Sequence, residues 1–156
     1  MLIEGLVSQL ESSKTFMLNT LSCLNEEDSA FVPKEGMMSV CQHVAHVGQC
    51  VDWFFEGAFS PNGFSMDFEG MAKEVAAFSS LEAAVKLHNE AYDRAIAVVK
   101  SKSEDEWREQ LPPGIMEGAP KLAIVGSNAD HAAHHRGALA VYARLLGKTP
   151  AMPYGA

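Results

Sequence analysis

Four stretches of this 156-residue chain carry apolar residues at spacings of three and four, and that periodicity confines it to an all-α fold. Leu6, Leu10, Met17, Leu21 and Leu24 mark a helix over residues 2–24; Val40, Val44, Val47, Val51, Phe54 and Ala58 mark a second over 39–59. Ser79 and Glu82 have the spacing of a capping box, which would open a third helix with the stripe Leu81, Val85, His88, Tyr92, Ile96 and Val99. The fourth begins after Pro120 and stops at Gly147, with Pro150 as a second stop signal. No alternating strand pattern competes. Long helices joined by extended connections, 60–78 and 102–119, predict a four-helix bundle. Short helical turns are expected within those connections, at 67–78 and 103–110.

At this length the chain reads as one domain, residues 1–156, with enough apolar content for a core of its own. Twelve basic against twenty acidic residues give a net charge of −8, which opposes a phosphate backbone. No basic patch is segregated, so no nucleic-acid partner is expected. The longest uncharged run, 37–51, is too short to span a bilayer, and acidic Glu4 precedes the first basic residue, Lys14. The expectation is a cytoplasmic protein with no membrane partner. Three cysteines without a C-x-x-C spacing, Cys23, Cys41 and Cys50, argue against a disulfide framework and against a zinc knuckle.

The chemistry concentrates in the fourth helix. His131 and His135, four residues apart, project from one helix face about 6 Å apart and can grip one metal ion from the same side. They fall within a stripe of Ile124, Asn128, His131, His135, Ala138, Tyr142 and Leu145 expected to face the core. A buried imidazole needs partners for its nitrogens, and a metal supplies one; a core pair satisfied by hydrogen bonds is the alternative. The second helix offers His43 and His46 as a third ligand. Periodicity slightly favours His43, which lies nearer the apolar stripe. No Glu stands three residues before any of the six histidines, which excludes the ferritin-like di-iron pattern, and there is no His-Glu-x-x-His, Walker loop or Gly-x-Ser-x-Gly.

The run His131-Ala-Ala-His134-His135-Arg136-Gly137-Ala138-Leu139, with Tyr142-Ala-Arg144-Leu-Leu-Gly147 and the tail Pro150 to Gly155, resembles the C-terminal pattern of the DinB-like (damage-inducible) family of metal-binding helical bundles. Ala138 stands where Gln is common. The family's other mark, a helix opening with Ser and carrying His seven residues later, then a Trp, matches Ser39, His46 and Trp53; Met38 replaces the Trp often found before that Ser. The resemblance covers residues 38–155 and implies His46, His131 and His135 as the metal ligands.

It also implies an activity. Three neutral imidazoles leave the charge of a zinc, nickel or iron dication intact, able to deprotonate a coordinated thiol or lower the pKa of bound water. Characterised members of the family include transferases that use low-molecular-weight thiols such as bacillithiol or mycothiol, and a thiol-dependent isomerase. A thiol S-transferase is therefore the expected function. A metal-stabilised binding module without turnover, or a metal-dependent hydrolase, is the alternative. Asn128, one turn before His131, is placed to orient its free nitrogen, Tyr142 to donate to a substrate oxygen and Arg136 to hold a substrate carboxylate. Cys50, one turn after His46, His134, one turn after Asp130, and His88 are expected to be a core thiol, a carboxylate- or solvent-oriented ring and a core or rim histidine. A homodimer follows from the family's habit and from Phe55, Phe59, Phe64 and Phe68 clustered near the end of the second helix.

Overall fold

A computed structural model describes residues 1–154 as α1 (Leu2–Leu21), α2 (Val40–Phe59), α3 (Phe68–Ala76), α4 (Leu81–Ser101), α5 (Glu104–Arg108) and α6 (Ala123–Leu145), with a 3-10 turn at Glu26–Asp28. Gly155, in the tail pattern, lies outside the described residues. The four long helices form the bundle, and the short α3 and α5 occupy the two expected connections. Among the described residues there is no strand, only an isolated bridge between Gln110 and Pro120.

Going round the bundle the order is α1, α4, α2, α6, so α1 lies diagonally across from α2 and α4 from α6. Both diagonal crossings need a long connection, 22–39 and 102–122. The first of these begins with an Asn25 capping box on the 3-10 turn: Asn25 accepts from Glu27 N–H, and the Asp28 carboxylate accepts Asn25 N–H at 2.8 Å.

α2 is the central helix. Val40, Val44, Val47 and Val51 are buried as the spacing predicts, but so are Cys41, Ala45, Gly48 and Phe55 on other faces. Gly48 is where α2 and α4 approach most tightly: a Cβ there would stand 2.9 Å from His88 Cα and 3.0 Å from its N. α2 begins in a true capping box. The Ser39 hydroxyl accepts the Gln42 N–H, and the Gln42 carbonyl oxygen accepts Ser39 N–H at 2.9 Å.

Three sequence expectations need correction. α4 is capped by Ser80, one residue later than Ser79, with its side chain accepting from Ala83 N–H. The first-turn N–H groups of Leu81 and Glu82 donate to Ser29 Oγ and the Glu26 carboxylate, both at 2.8 Å, so a remote turn satisfies donors that the helix itself leaves free. On α6 Ile124, Asn128, His135 and Tyr142 are buried as expected, but Val125, Ala132, Leu139 and Ala143 join them, His131 and Ala138 are half-buried, and Leu145 is exposed. Finally, Phe55 and Phe64 are buried: Phe55 and Phe59 pack edge-on against Trp107, and Phe64 sits on Trp53. These rings close one end of the core, leaving only Phe68 exposed, so they offer little to a dimer surface.

α6 stops where expected. Gly147 has φ 76°, and Lys148 N–H reaches back to Ala143 O at 2.8 Å while Gly147 N–H reaches Arg144 O, the paired bonds of a Schellman end. The tail then folds back over α1 and α6: Asn19 donates to Pro153 O, and the Tyr154 ring meets Phe16 edge-on at 5.1 Å. No described helix is long and apolar enough to cross a membrane.

The α2–α4 contact generates a paired test. Gly48→Ala should destabilise the protein by about 1–3 kcal/mol, because the added methyl meets helix backbone that cannot give way. Gly126→Ala, where an added Cβ meets nothing within 4 Å, should stabilise by roughly 0.5–1 kcal/mol. Urea unfolding midpoints moving in the same direction for both would contradict this packing.

Candidate metal centre

The capping box at Ser39 sets the phase of α2, and that phase turns both His43 and His46 toward α6. Across the seam, His131 Nε2 lies 3.3 Å from His46 Nε2 and 3.1 Å from His135 Nε2. His131 Nε2 thus stands between the nitrogens of His46 and His135. Ligand nitrogens about 2.0–2.1 Å from a tetrahedral zinc stand about 3.3 Å from one another, and the two contacts of His131 Nε2 have that spacing. A sulfur joins the same place: the ligand atoms of His46, Cys50 and His131 all lie within 4.8 Å of one another, with Cys50 Sγ 3.7 Å from both His46 nitrogens. That equal distance sets the thiol beside the ring rather than on one nitrogen's lone pair.

His43 is drawn in from behind. Its Nδ1 lies 2.8 Å from His135 Nδ1 and its Nε2 lies 3.2 Å from the Tyr142 hydroxyl, which reaches the Met38 carbonyl at 3.1 Å. The directions of these bonds can be worked out in turn. A carbonyl only accepts, so the Tyr142 O–H donates to Met38 O. The Tyr142 oxygen then accepts from His43 Nε2–H, which leaves His43 Nδ1 bare to accept from His135 Nδ1–H. His135 Nε2 is therefore the nitrogen without a proton, and it is the one that faces His131. A chain of four groups ending in a main-chain carbonyl sets the tautomer of one imidazole, the orienting role that metal-bound histidines require of their neighbours.

Burial keeps the cluster uncharged. Desolvation, followed by the proximity of the other imidazoles, pushes His131 and His43 down to about 4 and His135 to about 3. His46 is also lowered by burial, with the nearby Gln49 side chain opposing the shift. Neutral rings are what a metal needs. The Cys50 thiol, in contrast, is pushed up to about 11 by burial.

Other sequence-selected residues lie elsewhere. The Arg136 guanidinium is 5.5 Å from the centroid of Phe16 and 5.1 Å from that of Tyr154, and it donates to the Tyr154 hydroxyl, so it pins the tail on the side of α6 away from α2. Tyr142 uses its proton on Met38 and has none left for a substrate. The expected bond from Asn128 to His131 is not formed: Asn128 occupies a core position of the α6 stripe, and neither its amide atoms nor His131 Nδ1 has a partner among the described residues. His134 is exposed, its ring edge-on to His135. His88 is fully buried against Tyr92, its Nδ1 3.2 Å from Asn89 Oδ1. The sequence offered His43 as an alternative to His46 for the third ligand; its place behind His135 had no signal within α2, because it depends on Tyr142 lying seven residues, two turns, beyond His135 on another helix.

Beside His46 lies a cavity of about 310 Å³ between α2 and α3, lined by Cys50, Trp53, Phe68, Met71 and Val75 among others. The Trp53 indole N–H donates to Ser65 O at 2.7 Å and so ties the 60–67 connection to α2.

The sequence profile described as the DinB family matches residues 4–156. Among solved structures, a crystal structure of a mycothiol-dependent maleylpyruvate isomerase, a histidine-to-alanine mutant, shares this fold with a TM-score of 0.71 at 15% identity. The match covers 88% of this chain, which spans 60% of that one. No curated protein matches the chain.

Two outcomes follow from this geometry. His43→Phe, which removes the acceptor for His135 Nδ1–H, should weaken zinc binding by about 10–100-fold while leaving the helical circular dichroism intact. Calorimetric titration giving an unchanged affinity would remove His43 from the relay. The second concerns acid. Unfolded histidines take up protons near pH 6.5, whereas the folded His43, His88 and His131 do so only at about 4 and His135 at about 3. Between those values the unfolded chain binds more protons, so chelator-treated protein should lose stability as pH falls from about 6.5 toward 4, and this loss is absent above pH 7. The lowered carboxylates, Asp28 and Glu106 among them, contribute only below about 4.5, from their unfolded values. Urea midpoints that stay level between pH 7 and 5 would contradict a buried neutral cluster.

Proposed function

This chain belongs to the DinB family, and from that premise we propose a metal-dependent enzyme in which His46, His131 and His135 hold one divalent ion, zinc, nickel or iron, and a low-molecular-weight thiol is transferred to an electrophile. The observation that carries the reading is the approach of the His46 and His135 ring nitrogens to His131 Nε2, at 3.3 and 3.1 Å, beside a cavity of substrate size. The thiol-dependent name of the fold neighbour points the same way. A divalent ion at this position would supply a positive charge that favours the thiolate over the thiol.

The residues do the rest. His131 and His135, one turn apart on a single helix, hold their mutual spacing through the helix itself, while His46 closes the set from α2. The His43–Tyr142–Met38 chain keeps the proton of His135 on the far nitrogen. Met38, Trp53 and the walls of α3 shield one side from water, which strengthens every electrostatic contact inside. Arg136 takes no part at the ion in this reading.

A second reading rests on one specific contact. Cys50 Sγ shares the cluster with His46 and His131, and a fourth protein donor would close the site and make it structural. Cobalt distinguishes the two. On the transferase reading, the cobalt-loaded protein shows no sulfur-to-metal charge-transfer band until a thiol such as cysteamine is added. A full band before any thiol, lost in Cys50→Ser, would establish the closed site and overturn the open one. In His131→Ala stoichiometric cobalt binding should disappear; retained occupancy would reject the three-histidine assignment.

A further inference from the structure

The cavity against His46 has walls of a definite chemical kind. α2 contributes His46, Cys50 and Trp53 to it, and α3 contributes Phe68, Met71 and Val75. No Asp, Glu, Lys or Arg lines it. The polar groups that do are already engaged: the Gln42 amide accepts Ser39 N–H at 2.9 Å and donates to Ala76 O at 3.2 Å, and the Trp53 indole N–H is spent on Ser65 O. Only His46 and Cys50, both at the end nearest the ring cluster, remain. A carboxylate or phosphate placed against these walls would shed its water and find no cationic side chain in return. An uncharged apolar body would meet aromatic and thioether surface on its flanks. The size is also informative. A cavity of about 150 Å³ takes benzene, so the 310 Å³ here accommodates roughly one substituted ring or two fused ones.

We propose that this α2–α3 cavity binds the electrophile of the reaction, and that its substrates are uncharged apolar molecules carrying an aromatic ring. The proposal rests on the transferase reading for its reaction but not for its binding. With an aryl epoxide as electrophile the step balances as follows. The thiolate sulfur forms a bond to a ring carbon of the epoxide, the carbon–oxygen bond breaks with its electron pair going to oxygen, and that oxygen takes a proton from solvent in place of the one the thiol lost. The product is a neutral β-hydroxy thioether when the thiol's other groups are neutral, and no oxidant or reductant is needed.

Ala72 lines the cavity from α3 yet is itself exposed, which makes it the place to alter the walls without touching the core or the imidazoles. The indole ¹H–¹⁵N signal of Trp53 reports on occupancy. Ethylbenzene, an unreactive match for styrene oxide, should shift that signal saturably, in zinc-loaded and chelator-treated protein alike, whereas phenylacetate should not. Ala72→Trp should weaken ethylbenzene binding about tenfold or more by filling the space a ring would occupy. Ala72→Arg should bring in phenylacetate. Phenylacetate binding the unaltered protein as well as ethylbenzene does, or Ala72→Trp leaving ethylbenzene binding unchanged, would overturn the proposal. The two readings fail separately. If ethylbenzene binds as described but zinc-loaded protein forms no thioether from cysteamine and styrene oxide, the cavity assignment stands and the transferase reading falls.

Discussion

Four imidazoles, His43, His46, His131 and His135, share one buried seam between α2 and α6, and the cost of placing charge there organises everything around them. Burial holds the rings neutral, and a neutral imidazole carries one donor and one acceptor that both need partners. The seam answers this with the imidazoles themselves, with Tyr142 and with the Met38 carbonyl, in a chain whose direction is dictated by its last acceptor. What is left over is a set of nitrogens facing one another at 3.1 and 3.3 Å. Hydrogen bonds cannot complete all three at once, because His135 Nε2 and His131 Nε2 have too few protons between them.

The fold supports this seam from both sides. A capping box at Ser39 starts α2 at a defined residue, so that His43, His46 and Cys50 emerge in fixed directions. Gly48 lets α4 pack close behind α2, and the outward side of α6 is tied down by Arg136 between Phe16 and Tyr154. The DinB pattern His131 to Gly137 is thus split between two faces of one helix: histidines turned to α2, arginine turned to the tail. Short α3 adds an apolar wall beside His46, which gives the imidazole cluster a neighbouring space without charged side chains.

Much of this was legible in the chain before its fold. The long helices announce themselves through spacing, and His131 with His135 form a pair in any helix, because a separation of four residues places two side chains on one face whatever lies opposite. Reading failed where the answer lay on another element. Ser79 and Glu82 have capping-box spacing, yet the first turn of α4 is capped by Ser80 and met by Glu26 and Ser29 from a remote turn. Asn128 stands one turn before His131 yet makes no bond to that ring and is a core position of α6. The four phenylalanines near the end of α2 suggested a surface, and two of them are core.

By itself the sequence determined an all-α bundle, a histidine pair on its last long helix and membership of a family, since each is a matter of spacing along one strand of chain. Only the tertiary structure decided the rest. His46 faces His131 while His43 faces the far nitrogen of His135, Cys50 comes within reach of the cluster, and Arg136 turns away from it. Each of these depends on the rotation and height of α2 against α6, and those are set by how buried side chains of separate helices interlock, a quantity that no spacing within a single helix contains.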